Sequence, residues 1–209
     1  GFYKMNPFSR IIEILVLLIL PLLVIYLRSN WSMKEIYINV IILPLIWYLF
    51  YAPIHELSHI LGCIIVGSKI TDYRLFAHFW EGSFGFAYVD VQGGLDVNMN
   101  SLIILISPYI LDFISIIIGY YILTRYKIKN SFLLGLTFLI FCLRPLYDIV
   151  DNYIGIFYNN GDLVLTSKII DEHITYSYGI ISVTISLIAI ILLLNKYKNY
   201  PKVETQGLE

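Results

Sequence analysis

The sequence predicts an all-α polytopic membrane protein, with about five transmembrane helices and a small membrane-edge β-hairpin or sheet between the second and third. Three observations carry this expectation. Of 209 residues, 58% are hydrophobic and only 14% charged, against about 25% charged in ordinary globular chains. The mean hydropathy of +0.76 implies more apolar surface than a core of this size can bury beneath a wettable exterior. The apolar residues also gather into stretches approaching or exceeding the roughly 20 residues that cross a hydrocarbon layer. The 14 Lys+Arg and 15 Asp+Glu leave a formal charge of -1, which excludes a nucleic-acid binder, and the hydrophobicity excludes a disordered chain. Cys63 and Cys142 both lie in apolar runs, where a thiol is a small buried hydrophobe, so no disulfide framework is expected.

The chain reads as a single integral membrane domain over 1–209. The first span is expected near 11–27, with Pro21 as a kink, and is too long and too poor in small residues at its end for a cleavable leader. The second, near 36–66, belongs to a stretch whose only charge is Glu56; at that length it must tilt, break at Pro44 or Pro53, or extend past the bilayer. Residues 69–98 are aromatic and β-branched with turn signals at Gly82-Ser83 and Gly93-Gly94, hence the hairpin. Span 3, near 101–124, carries only Asp112, and span 4, near 131–158, carries Arg144, Asp148 and Asp151. A turn and a short amphipathic helix are expected over 159–173, before span 5 near 174–195. With simple alternation, Arg28, Lys34, Arg125, Lys127, Lys129, Lys196, Lys198 and Lys202 share one face and Lys4, Arg10, Lys69, Arg74 and Lys168 the other. The richer face is expected to be cytoplasmic, which places the amino terminus outside.

The strongest chemical signal is His55-Glu56-Leu57-Ser58-His59. On a helix, positions i and i+4 share a face, so both imidazoles can bind one zinc ion while Glu56 serves as general base. An ionisable cluster inside an apolar stretch costs about 2.5–3.5 kcal/mol per charged group unless it is paired or binds metal. The bland reading, a polar cluster that packs helices, is the weaker one at this spacing. A catalytic zinc takes a third protein ligand. The glutamates downstream of Glu56 all lie outside the spans, which leaves aspartates. Asp162 follows a glycine at a chain break and is the first choice; Asp148 and Asp151 are alternatives. Asp148 stands one turn after Arg144, so an ion pair between them is the rival account of both without metal, with Asp112 as a rival partner for Arg144. His78 and His173 are expected at the surface.

These residues resemble the site-2 protease family of intramembrane zinc metalloproteases, of which the chain looks like a divergent member. Ile54-His55-Glu56-Leu57-Ser58-His59 late in the second span is similar to that family's HExxH, Gly67-Ser68-Lys69-Ile70 and the strand region to its short sheet, and Ser107-Pro108 to its Gly-Pro. The likeness covers about residues 36–175, and only HExxH is specific. The family's Asn followed by a Leu-Asp-Gly turn is absent as such; matching Asp162 to its aspartate makes Asn152 the counterpart of its asparagine, with Asp148 and Asp151 still open. The resemblance also implies a cytoplasmic amino terminus with zinc nearer the cytosolic face, opposite to the charge count.

The resulting expectation is peptide-bond hydrolysis of a transmembrane protein substrate within or beside the lipid bilayer. Zinc would be held by His55, His59 and Asp162, with Glu56 as base and Asn152 as a candidate oxyanion donor. An edge strand among residues 70–91 could capture unwound substrate. The rival expectations are an inactive scaffold or helix-binding pseudoprotease, disfavoured by the intact Glu56, and a metal transporter, disfavoured by the concentration of polar residues in spans 2 and 4.

Overall fold

The computed structural model describes residues 19–28, 32–76, 87–157, 159 and 161–199. Residues 1–18, with the amino-terminal part of the first expected span, lie outside this set, as do His78, Glu81 and the Gly82-Ser83 turn. The described part of that span is a short apolar helix, α1 (Ile19–Arg28).

α2 (Met33–Val66) begins at a capping box: the Ser32 side chain accepts from the Glu35 N–H while Glu35 reaches back to the Ser32 N–H. It ends at Gly67, whose φ of 70° closes the helix with a left-handed residue. Its 34 residues make about 50 Å of helix, longer than the roughly 30 Å of a hydrocarbon layer. Of the three ways this length could be accommodated, a break at Pro44 or Pro53 is not the one taken, since both prolines sit inside one continuous helix. Each lacks the N–H that would bond four residues back, and in lipid such carbonyls are served by neighbouring elements.

β1 (Ile70–Arg74) and β2 (Tyr88–Val91) pair antiparallel, with an irregularity between Ile70 and Asp72, and Gly93 and Gly94 turn the chain at φ of 85° and 80°. Then come α3 (Met99–Arg125), α4 (Ser131–Phe138), a π turn at Leu139–Leu143, α5 (Arg144–Phe157), α6 (Asp162–Ile169) and α7 (Glu172–Lys198). Among the described residues, four helical stretches are long and apolar enough to cross a membrane: α2, α3, the continuous α4–α5 unit and α7. Their outward faces are apolar, with Ile41, Leu45, Ile64, Ile117 and Ile188 all at least half exposed, as lipid contact requires. The protein is therefore a helical membrane protein with a small two-stranded sheet among its described residues.

Among the described residues, two apolar cores hold the bundle. One joins Ile25, Leu43, Trp47, Leu123, Phe138 and Tyr197 near the ends of α1, α3 and α7; the other joins Tyr109, Ile116, Ile149 and Leu163 near the hairpin end. At the first end the Tyr197 hydroxyl donates to the Leu123 carbonyl at 2.9 Å, Lys196 Nζ to the Thr124 carbonyl at 3.2 Å and Ser131 Oγ to Glu35 at 2.9 Å, while Arg28 lies over the Tyr197 ring. This end gathers seven described basic residues, Arg28, Lys34, Arg125, Lys127, Lys129, Lys196 and Lys198. Lys69, Arg74 and Lys168 belong to the hairpin end.

Candidate metal centre

His55 and His59, one turn apart on α2, face the first residue of α6. Nε2 of His55, Nε2 of His59 and Oδ2 of Asp162 lie 3.1 Å from one another in all three pairings. His59 lies about 10 Å along α2 from its hairpin end, at 1.5 Å per residue, so the cluster is below the surface at that end. His59 and Glu56 are 7% and 9% exposed.

Each histidine is held from behind. Nδ1 of His59 is 2.9 Å from the Ile104 carbonyl of α3; a carbonyl only accepts, so the ring proton sits on Nδ1 and the Nε2 lone pair faces the cluster. The approach of the two helices depends on Gly62, where a Cβ would meet the Ile104 Cα at 2.9 Å as well as the Ser107 hydroxyl. Nδ1 of His55 lies 2.7 Å from Oδ2 of Asp148, which is wholly buried. Asp148 Oδ1 accepts from the Tyr51 hydroxyl at 3.3 Å and from Asn152 Nδ2 at 3.1 Å, so Asp148 acts as acceptor throughout and His55 is the donor.

Asp162 is set by its own turn. Gly161 has φ of 90°, which a side chain resists, and a Cβ there would come within 2.7 Å of Asn152 Oδ1. That same Oδ1 accepts the Asp162 N–H at 3.3 Å. Burial works against the charged Asp162, but in the metal-free site positive charge on the His59 and His55 imidazoles outweighs it and holds the carboxyl well below the usual carboxylate range. Tyr109 donates its hydroxyl to Oδ2 at 3.4 Å.

With both rings neutral, two imidazole lone pairs and a carboxylate oxygen thus converge with no proton between the nitrogens. Three acceptors at 3.1 Å repel unless a cation or added protons lie among them. The spacing suits a cation: zinc bonds of about 2.0–2.2 Å in tetrahedral array set ligand atoms about 3.3 Å apart. The imidazole backing by a carboxylate and by a carbonyl is the outer-shell arrangement that fixes metal-binding histidines. The donor set therefore fits a divalent metal.

Of the aspartates considered as third ligand, Asp162 joins the histidines; Asp151 is exposed on α5, and Asp148 stands behind His55. Of the two partners weighed for Arg144, Asp148 and Asp112, the ion pair forms with Asp112. Arg144 Nη2 lies 2.8 Å from Oδ1 of Asp112, both buried, because His55 claims Asp148. Asn152, the candidate oxyanion donor, directs Nδ2 at the Asp148 carbonyl and carboxylate and accepts the Asp162 N–H on Oδ1. One turn of α5, from Asp148 to Asn152, thereby fixes two ligands carried by two other elements. Glu56 has no hydrogen-bond partner among the described residues and lies near both imidazoles. His173 is exposed at the start of α7. Tyr51, Tyr109 and Ile104 carried no sequence signal for their places here.

No protein-family model, curated protein or solved structure matches the chain.

Proposed function

We propose that the protein is an intramembrane zinc endopeptidase acting on membrane-embedded protein segments, with His55, His59 and Asp162 as metal ligands and Glu56 as general base. The observation that carries the reading is the convergence of three acceptor atoms at 3.1 Å beside a buried carboxylate with no partner among the described residues. A purely structural site has no use for that carboxylate.

When bound, zinc supplies Lewis acidity toward a carbonyl oxygen and toward water. The chain's own groups do the rest. Glu56 takes a proton from the attacking water onto its carboxylate as the C–O bond forms, then delivers it to the amide nitrogen as the C–N bond breaks. Asp148 and the Ile104 carbonyl keep both Nε2 lone pairs turned inward. Apolar helix faces exclude bulk water. A substrate segment must be extended before its carbonyls are free. β1 offers a strand beside a hollow of about 410 Å³ bordered by Leu57, Ile60, Thr71 and Tyr73, next to the helix turn that bears Glu56 and His59.

We further read α1 as the described part of a fifth span, and the basic end as cytoplasmic, so that the cluster and hairpin open toward the opposite face. The test of the enzymatic reading is zinc content and cleavage together. Detergent-purified wild type should hold about one zinc per chain and cut an unstructured reporter fused beside an apolar helix; Glu56→Gln should keep the zinc and lose at least a hundredfold in rate. Full turnover by Glu56→Gln would remove the mechanism, and a zinc-free folded wild type would remove the site.

A further inference from the structure

The carbonyl that orients His59 belongs to Ile104, and the residue four positions on in the same helix is Pro108. In an uninterrupted α-helix the N–H of residue 108 would bond the oxygen of residue 104. Proline has no N–H, and its ring pushes the carbonyl four residues back out of the helical ladder. Such an oxygen inside a bilayer needs a donor from a neighbouring element, and here it has one: His59 Nδ1 at 2.9 Å, brought within reach by the close approach of α2 and α3 at Gly62. Pro108 and Ile104 are both buried, at the heart of the contact.

We propose that Pro108 is a positioning residue for the metal ligand His59: by freeing the Ile104 oxygen it supplies the acceptor that fixes the His59 ring and holds its proton on Nδ1. It never touches metal or substrate, and it acts through a backbone atom that no side-chain substitution at residue 104 can remove. The proposal rests on the metal-site reading in calling His59 a ligand. Its tests read metal binding and ring tautomer rather than turnover, so a chain that binds zinc and cuts nothing leaves the proposal standing while the peptidase reading falls.

Pro108→Ala restores an N–H beneath the Ile104 oxygen and lets the helix draw that oxygen back. Helix formation favours alanine over proline, so the metal-free variant should melt no lower than wild type. Its zinc affinity, by competition with a chromogenic chelator, should nonetheless fall about three- to thirtyfold, and the visible spectrum of the cobalt(II)-loaded protein should change. A proline that served only packing would move the two readouts together. Pro44→Ala makes the same change in α2 away from the cluster and should leave zinc affinity within twofold. Unchanged zinc affinity in Pro108→Ala, or an equal loss in Pro44→Ala, overturns the proposal. A second measurement needs no folded variant: in metal-free wild type with ¹⁵N-labelled histidine, at alkaline pH where the ring is neutral, His59 should show the Nδ1–H form, and the Nε2–H form there overturns the proposal as well.

Discussion

Asp148→Asn looks conservative and should not be. In the wild type, Oδ2 takes the His55 Nδ1–H at 2.7 Å while Oδ1 faces two donors, the Tyr51 hydroxyl and Asn152 Nδ2. Asparagine replaces one oxygen with an NH₂ group, and neither placement serves His55 on one side and the Tyr51 and Asn152 donors on the other. With its oxygen toward His55, the NH₂ faces two donors; flipped, the NH₂ faces Nδ1, which must then accept, and the ring proton moves to the nitrogen meant for the metal. Asp148 is wholly buried, so water does not repair either arrangement. A hydrogen bond to a charged group contributes about 1.5–3 kcal/mol, or about 10- to 150-fold in zinc affinity. Chelator competition in detergent should therefore show losses of that size for Asp148→Asn, close to those of Asp148→Ala. Adding Tyr51→Phe removes one of the opposed donors and should recover part of the loss in the asparagine background while weakening wild type slightly. Zinc affinity within threefold of wild type in Asp148→Asn would refute the assignment of Asp148 as the group that sets the His55 tautomer.

Other consequences can be checked alongside. Gly161→Ala meets both a φ of 90° and Asn152 Oδ1, so it should cost about 1–2 kcal/mol in stability and displace Asp162, seen as lost zinc binding; normal zinc uptake would show that this turn does not place the ligand. Acidification puts protons on the two Nε2 atoms in competition with zinc, so affinity should fall by up to about a hundredfold per pH unit. Asp162 adds no proton to that slope over the neutral range, since the histidines hold its carboxyl low. In the metal-free chain the same interaction stabilises the fold above the ordinary carboxylate range and is lost as pH falls through and below it, which acid melts monitored by circular dichroism would register. For orientation, Gln92→Cys at the hairpin and Tyr126→Cys at the basic end, both exposed positions, should differ in intact cells. An impermeant maleimide should label the first and reach the second only after permeabilisation; the reverse pattern would place the cluster on the cytoplasmic side.

Much of this arrangement was legible in the chain itself. The spans expected near 36–66, 101–124, 131–158 and 174–195 correspond to α2, α3, α4–α5 and α7 because uncharged runs of that length have few alternatives in lipid. The hairpin was marked by its glycines and β-branched residues. His55 and His59 were legible because i and i+4 share a face whatever surrounds them. The partners of Arg144 and Asp148 were legible only as alternatives: sequence spacing aligned the two on one helix face with Asp112 as rival, but whether Arg144 meets Asp112 and Asp148 meets His55 depends on how α3 and α2 are rotated against α5. The role of Asn152 was hidden for the same reason, since its amide bonds a residue ten positions away through a turn closed by Gly161. The unbroken course of α2 through Pro44 and Pro53 shows tertiary packing overriding a local helix-breaking signal.

The π turn at Leu139–Leu143 sits just before Pro145, which cannot donate, and against α3 at Gly119, where a Cβ would meet Phe141. A π turn accommodates one residue more than the α-helical turn it replaces, so everything after it is rotated by about 100° relative to an uninterrupted helix. Arg144, Asp148 and Asn152 all lie after it. Removing a single leucine from this stretch would leave hydropathy, span length and charge almost untouched, yet it would swing Asp148 away from His55 and Asn152 away from Asp162. The fourth span thus has a phase as well as a length, and a one-residue gap there is a change of chemistry that no hydropathy profile registers.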